Sequence, residues 1–431
     1  MALPKAKEDA LAARLAALPA VEGKGWLATA RAEALARLTA MGLPGRRDEY
    51  WRYTDPTSLN SPDPAPAARF DAGDETAPFD GMDRLRLVFV DGVFDPSASD
   101  DPVLAGVMIE RLAEAGDKHI HWAQGIYGVL EARGQAPVAR PFAALNSAHA
   151  TDGVLIHVTG RAAKPISLIY VHESEASDAM LHHCVKLEAG AELTLLENGP
   201  AAARFSKVLE VEVAEGARFH HIRLQGRDHE RRAVTHIFAR LGAGAEFRSF
   251  TLTANGRLTR NEAVVELAGA EARAHVAGAA VGDGDFHHDD TVFITHAAEA
   301  CESRQVFKKV LMNGATGVFQ GKILVKPGAQ KTDGYQISQS LLLDEDSQFL
   351  AKPELEIYAD DVKCSHGSTS GAIDETALFY LQSRGVPRRT AQALLVLAFL
   401  AEAIDEVADE TIAEDIRARL ERWLARHGSR G

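Results

Sequence analysis

The residues best placed to do chemistry lie within Leu355–Thr369, which reads Leu-Glu-Ile-Tyr-Ala-Asp-Asp-Val-Lys-Cys-Ser-His-Gly-Ser-Thr. This stretch places Cys364, one of three cysteines, two positions before His366. Thiolate and imidazole are ligands that iron and zinc accept in proteins. Residues i and i+2 of an extended strand face the same side, so both side chains could bind one metal atom. A Cys-x-His pair is more often structural, and its surroundings must decide between the two interpretations.

The neighbouring Asp360 and Asp361 offer a second chemistry, that of a cysteine hydrolase. Cys364 would be the nucleophile, His366 the base, and an aspartate would orient the imidazole. The spacing disfavours this arrangement, because side chains at i and i+2 run parallel and suit joint ligation better than proton transfer. A stand-alone cytosolic enzyme with Cys364 as nucleophile nevertheless stays open as an alternative.

Histidine is abundant, and three further clusters could supply metal ligands. They are His182-His183-Cys184, His220-His221 and His287-His288-Asp289-Asp290. In a strand, His182 and Cys184 would share one face while His183 would take the other. The same alternation favours a structural role, with one histidine of each pair packed inside and one outside.

Several familiar catalytic motifs are absent from the sequence. It contains no Gly-x-x-x-x-Gly-Lys-Ser/Thr phosphate loop, no Gly-x-Ser-x-Gly elbow, no His-Glu-x-x-His and no Cys-x-x-Cys. These absences disfavour an ATPase, an α/β-hydrolase and a zincin.

Composition indicates a soluble, cytoplasmic protein. The 431 residues carry a net charge of −14, which argues against sequence-independent nucleic-acid binding. The N-terminus lacks the pattern of a secretory signal, and the longest apolar run, 393–401, falls far short of the roughly 20 residues that span a bilayer. Three widely spaced cysteines give no disulfide framework, which favours a reducing compartment.

The N-terminal third predicts a mostly helical region over residues 1–145. Helical spacing of Ala, Leu, Glu and Arg covers residues 6–41, and a Pro/Asp/Ala-rich linker follows at 55–82. Between them, the dense aromatic and charged segment 46–54 predicts a docking element or a well-packed loop. A strand and turn are expected at 85–92.

A repeat then predicts a β-solenoid core over residues 146–372. Apolar strands followed by Gly-Ala turns recur at Gly190, Gly216, Gly244 and Gly269, which stand 26, 28 and 25 residues apart. A coil of this kind buries its apolar face only by stacking on the next coil. An antiparallel sandwich of hairpins is the competing interpretation, although its turns would recur more often.

Residues 373–431 predict a C-terminal helical domain of three helices. The first begins near Asp374 and ends at Gly385, the second follows Pro387, and Asp409 caps the third. The second helix is apolar nearly all round, so its neighbours or a partner must cover it.

The sequence resembles the SufB/SufD family of the SUF iron–sulfur cluster assembly system, and its SufD members in particular. Six segments carry the resemblance: 317–325, 329–336, 341–343, 353–357, 360–367 and 378–385. The likeness is dense over 313–400 and traceable from about residue 142. Tyr50-Trp51-Arg52-Tyr53-Thr54 also looks like the family. SufB members differ where this chain reads Lys-Cys-Ser-His-Gly.

The resemblance implies a fold and a role. The fold would be mainly β, a right-handed parallel β-helix flanked by N-terminal and C-terminal α-helical regions. The role would be that of a non-catalytic scaffold, paired with SufB through the β-helix and bound through its C-terminal helices to SufC, which hydrolyses ATP. A homodimeric, SufB-like scaffold is the remaining alternative.

The resemblance also implies a site. A transient iron–sulfur cluster would form at the SufB interface, with His366 as the first ligand or positioning group and Cys364 as a second. Reduced flavin would associate with the complex, although the sequence carries no flavin motif.

Overall fold

The computed structural model describes residues 3–21, 24–69, 76–116, 118, 121–225 and 230–427. Residues 70–75 of the expected linker lie outside this part of the chain. Within it, strands form two large sheets, here called sheet A and sheet B. Sheet A contains β1 (Leu85–Val90), β2 (Val93–Asp95), β5 (Ile166–Val171), β7 (Glu192–Asn198), β9 (Arg218–Gln225), β11 (Glu246–Ala254), β13 (Arg273–Asp283), β15 (Glu302–Met312), β17 (Thr332–Leu342) and β19 (Val362–Gly371). Sheet B contains β3 (Met108–Arg111), β4 (Val154–Val158), β6 (Asp178–Leu187), β8 (Arg204–Val213), β10 (Arg232–Leu241), β12 (Leu258–Leu267), β14 (His287–His296), β16 (Thr316–Val325) and β18 (Gln348–Ile357).

The chain winds between the two sheets as a β-solenoid. From β4 onward each strand lies in the opposite sheet from the strand before it, and pairs in parallel with the strand two positions along, as β10 does with β8 and β12. The described strands pair antiparallel only in β1–β2 and β3–β4. The β-solenoid expected from the repeat and the parallel β-helix that the resemblance implies are therefore confirmed, and the sandwich of antiparallel hairpins is wrong.

The repeated glycines explain the regular coil length. Gly190, Gly216 and Gly244 have φ of 70°, 65° and 60°, a left-handed conformation that glycine adopts without the steric cost of a Cβ atom. Gly269 serves differently, since a Cβ there would lie 2.1 Å from the Ala243 backbone nitrogen of the preceding coil. The Gly-Ala signal therefore marks both tight corners and close stacking.

Helices cover the outer faces of both sheets. The N-terminal helices are α1 (Lys5–Ala17), α2 (Gly25–Met41), α3 (Thr57–Asn60), α4 (Leu112–Ala115), α5 (Val129–Arg133) and α6 (Pro141–His149). Of these, α3, α4, α5 and α6 contact sheet B. The C-terminal helices are α7 (Glu375–Ser383), α8 (Arg388–Ile404) and α9 (Glu410–His427), and α8 packs on β13 and β15 of sheet A. No helix in the described ranges is long and apolar enough to cross a membrane.

The two ends of the solenoid differ. At one end the sheets finish in the short antiparallel strands β2 and β3, which lie among the N-terminal segments. Here β1 pairs in parallel with β5, so sheet A already includes residues well before position 146. At the other end the sheets finish in the ten-residue strands β18 and β19, and among the described strands each of them pairs along one edge only. We call these the closed end and the open end.

Candidate functional site

The open end exposes the interior of the last coil. Interior-facing residues alternate along each strand, and β19 places Cys364, His366, Ser368 and Ser370 over Gly334, Gln336, Ser338 and Ser340 of β17. The interior direction follows from Gln336, which is fully buried, and from the bonds that join Ser338 to Ser368 at 3.0 Å and Ser340 to Ser370 at 2.9 Å. Because β19 has no following coil, most of its side chains are exposed.

Cys364 and His366 lie on this same interior face, as the i, i+2 spacing predicts. Cys364 is half-buried and packs against the small apolar cluster that includes Ile323 of the facing sheet, as Leu355 also does. Burial raises the pKa of its thiol. His366 is exposed. The pair therefore presents one soft and one borderline ligand at the mouth of the solenoid, where a metal or cluster could reach both.

The geometry gives no support to a cysteine hydrolase. A raised thiol pKa leaves little thiolate, the opposite of an activated nucleophile. Asp360 and Asp361 are exposed, and the backbone N–H of Asp361 donates to the Gln330 side-chain oxygen at 2.9 Å, which places it in the turn before β19. The aspartates thus lie in the turn that precedes β19.

The cluster His182-His183-Cys184 splits between the two faces of β6. His183 faces the interior, where Tyr170 Oη lies 3.1 Å from its Nε2. His182 and Cys184 face outward beside Glu210, and their ligand atoms all lie within 4.8 Å of one another. This is the metal-like group that the sequence predicted for one face, extended by a carboxylate from β8.

Glu210 is nevertheless already saturated by donors. Its oxygens accept from the backbone N–H groups of Gly128, Leu130 at 2.8 Å and Glu131 at 3.0 Å, and from His182 Nε2 at 2.7 Å. Those backbone groups open α5, so the carboxylate caps that helix. With four donors on its two oxygens, Glu210 is a structural cap and has little capacity left for a metal.

The remaining histidine pairs also divide between the faces. His221 faces inward and lies 2.8 Å from Glu197, whose other oxygen accepts from Lys207 at 2.6 Å. Lys207, Glu197 and His221 are fully buried. We call these three residues the interior triad. Burial lowers the pKa of His221 to about 4, so its imidazole is neutral at ordinary pH.

The His287-His288-Asp289-Asp290 run follows the same rule. His288 and Asp290 face inward and both contact Lys309, at 3.0 and 2.8 Å. Burial lowers the pKa of His288 to about 3. Asp289 faces outward and accepts from Thr54 Oγ1 at 2.6 Å. The residues of these clusters therefore belong to buried polar networks. The sequence does not reveal the networks, because the partner residues are far apart along the chain.

The segment Glu49–Thr54 binds the outer face of sheet B. Tyr50 donates to Glu354 of β18, and its ring lies 3.8 Å from Lys352 Nζ. The Arg260 guanidinium stacks over Trp51 at 4.1 Å. This aromatic segment is a well-packed strap that joins the N-terminal region to the last coil.

Comparison with known proteins agrees with this architecture. The family described as "SUF system FeS cluster assembly, SufBD core domain" matches residues 170–399, and "SufBD protein N-terminal region" matches residues 21–167. The chain belongs to the SufBD family of iron–sulfur cluster assembly proteins.

Individual relatives cover most of the chain. It is 29% identical to the iron–sulfur cluster assembly protein SufD of Escherichia coli, over 90% of each chain. It is 26% identical to a SufBD family protein of Synechocystis sp., over 86% of this chain and 85% of the relative. It is also 28% identical to SufD of Bacillus subtilis, over 65% of this chain and 66% of that protein.

Proposed function

We propose that the chain is a non-catalytic scaffold subunit that pairs with SufB through its open end. The observation that carries the proposal is the pair of last strands, β18 and β19, which present one unpaired edge and exposed interior side chains. A ten-residue edge is a ready template for pairing with another chain. A partner that adds strands there would continue the solenoid and enclose Cys364 and His366.

In this proposal, the nascent iron–sulfur cluster is cargo built at that interface. His366 supplies an imidazole and Cys364 supplies sulfur, while the remaining ligands come from SufB. Burial raises the pKa of the Cys364 thiol, so iron bound at this sulfur would have to displace its proton. Association of reduced flavin would be a property of the complex, and none of the described residues is assigned to it.

The C-terminal helices supply the proposed contact with SufC, which would hydrolyse ATP. Phe379 and Tyr380 of α7 are 72% and 53% exposed, and Leu394 of α8 is 47% exposed. Large apolar side chains this exposed on neighbouring helices favour a partner. The other face of α8 is buried at Val396 and Leu400, so the solenoid holds the helix while leaving Leu394 accessible.

The cluster proposal is tested by anaerobic reconstitution of the chain co-expressed with SufB and SufC. We expect His366→Ala to lower bound iron and cluster absorbance while the complex still assembles. Ser365→Ala is the matched control, because Ser365 is exposed on the same strand and faces outward. Unchanged loading in His366→Ala would place the cluster site elsewhere.

The SufC contact has its own test. Leu394→Glu should abolish co-purification of SufC, whereas Val93→Glu, at a more exposed position of the closed end, should retain it. Equal retention of SufC by both variants would contradict the proposed contact.

Two alternatives give different outcomes. A homodimer is favoured by the same exposed edge, which a second copy could pair with, and sedimentation of the isolated chain would reveal it. A stand-alone enzyme with Cys364 as nucleophile would turn over without partners and lose activity on alkylation of Cys364. The proposed scaffold should not turn over substrate alone, and in the cytoplasm it should be found with SufB rather than with a second copy of itself.

A further inference from the structure

Two buried glutamines lie directly behind His366. Gln305 of β15 and Gln336 of β17 are adjacent in register, and His366 of β19 is the next residue in the same row. Both glutamines are fully buried. Neither the nitrogen nor the oxygen of either side-chain amide has a hydrogen-bond partner in the described part of the chain.

Such amides need an explanation, because a buried polar group without a partner is costly and uncommon. Neighbouring strands of a sheet lie about 4.8 Å apart, so side chains in one row are within reach of each other. A change in the side-chain torsions would let each amide bond to the next, as in glutamine ladders. The last member of this row is an imidazole, which both donates and accepts.

The facing sheet leaves room for the Gln336 amide. A Cβ atom built on Gly321 of β16 would lie 2.4 Å from Gln336 Oε1 and 2.7 Å from its Nε2. Only a glycine at position 321 therefore permits the observed position of the amide. Both residues lie in segments that carried the family resemblance, yet neither has a part in the function proposed so far.

We propose that Gln336 is a positioning residue for His366. Its Oε1 accepts a hydrogen bond from one ring N–H of His366, and its own N–H groups are free to bond to Gln305. The bond fixes which ring nitrogen carries the proton. The other nitrogen then presents its lone pair at the open end.

This inference rests on the proposed function for its biological meaning, because an imidazole binds iron only through an unprotonated nitrogen. Histidine ligands commonly donate their other N–H to a carbonyl or carboxylate, which orients the ring. The hydrogen bond itself is a property of the isolated chain, so it can be tested without a cluster.

The first experiment measures the imidazole nitrogen shifts of His366 by NMR in the full chain labelled with 15N-histidine. The signals are assigned by their loss in His366→Ala. We expect one tautomer to dominate in the wild type and its excess to fall about five- to tenfold in Gln336→Leu, the factor that one net hydrogen bond supplies.

Ser338→Ala is the matched control. Ser338 faces inward one row away on the same strand, and its hydroxyl bonds to Ser368. It should leave the His366 shifts unchanged. Gln336→Glu keeps the acceptor oxygen and should restore the dominant tautomer. If the tautomer ratio is the same in wild type, Gln336→Glu and folded Gln336→Leu, the inference is overturned.

Gln336→Asn covers the case in which Gln336→Leu fails to fold. It keeps both amide atoms but draws them back by one methylene, so a reduced tautomer excess supports the inference and an unchanged one opposes it. In the complex with SufB and SufC, Fe²⁺ binding should weaken about 10- to 100-fold in Gln336→Leu. Shifts that respond while His366→Ala leaves cluster loading intact would refute the proposed function alone.

Discussion

The closed and open ends of the solenoid are built from the same kind of coil. They differ in how far their side chains are buried and in the length of their last strands. At the closed end Leu168 of β5 is fully buried, whereas at the open end Leu355 of β18 is only partly buried. The closed end finishes in strands of three and four residues, and the open end in strands of ten. Short edges discourage pairing and long ones invite it. One end is thus finished in a way that favours stability, and the other keeps the long edge that the proposed partner would use.

The largest effect is expected where charge is sealed inside the solenoid. Glu197→Ala leaves Lys207 of the interior triad buried without its carboxylate, which should cost about 3–5 kcal/mol of unfolding free energy. Denaturant unfolding of the full chain measures it. Asp100→Ala, which breaks the exposed pair with Arg86, is the control and should cost no more than about 1 kcal/mol. Equal losses of unfolding free energy in the two variants would show that the interior triad is not shielded from water.

The second prediction compares a fully buried leucine near the closed end with a partly buried leucine at the open end. Leu168→Ala should cost about 2–5 kcal/mol, because it empties a fully buried site. Leu355→Ala should cost only about 1–2 kcal/mol in the isolated chain, since part of the side chain is already in water. Urea midpoints give both values. Once SufB is bound, Leu355→Ala should also weaken the complex, and a loss at Leu168 no larger than at Leu355 would contradict the comparison.

The third prediction concerns acid. Burial lowers the pKa of His288 to about 3 and of His221 to about 4, below the value near 6.5 of an unfolded histidine. Below pH 6.5 the unfolded chain therefore binds more protons, and stability falls as pH falls toward about 4. Between its folded and unfolded pKa values, each such histidine lowers the free energy of unfolding by about 1.4 kcal/mol for every unit by which the pH falls. His288→Asn should flatten the slope by about one proton, and a slope unchanged from wild type would contradict the expected charge state.

The coil length was readable from the sequence because each corner needs the same residue. Gly190, Gly216 and Gly244 recur at corners where φ is positive, so their spacing predicted the solenoid. The glycine spacing did not predict that strand β1 belongs to sheet A. This strand joins sheet A through β5, but roughly 75 residues of other structure separate the two in sequence, and no repeat links them.

The site was predictable in part for a similar reason. The alternation of a strand correctly places Cys364 and His366 on one face, and the register bears this out. It does not reveal which face is the interior, nor that Gln305 and Gln336 stand behind His366. Those neighbours come from strands about 30 and 60 residues away, and only the register brings them into one row.

The most direct test of the central claim is hydrogen–deuterium exchange of the chain alone and in complex with SufB and SufC. The account predicts strong new protection of the amides of β18 and β19, with β2 and β3 unchanged. Protection confined to the closed end, or none at β19 in an assembled complex, would contradict the assignment of the open end as the place where the partner docks.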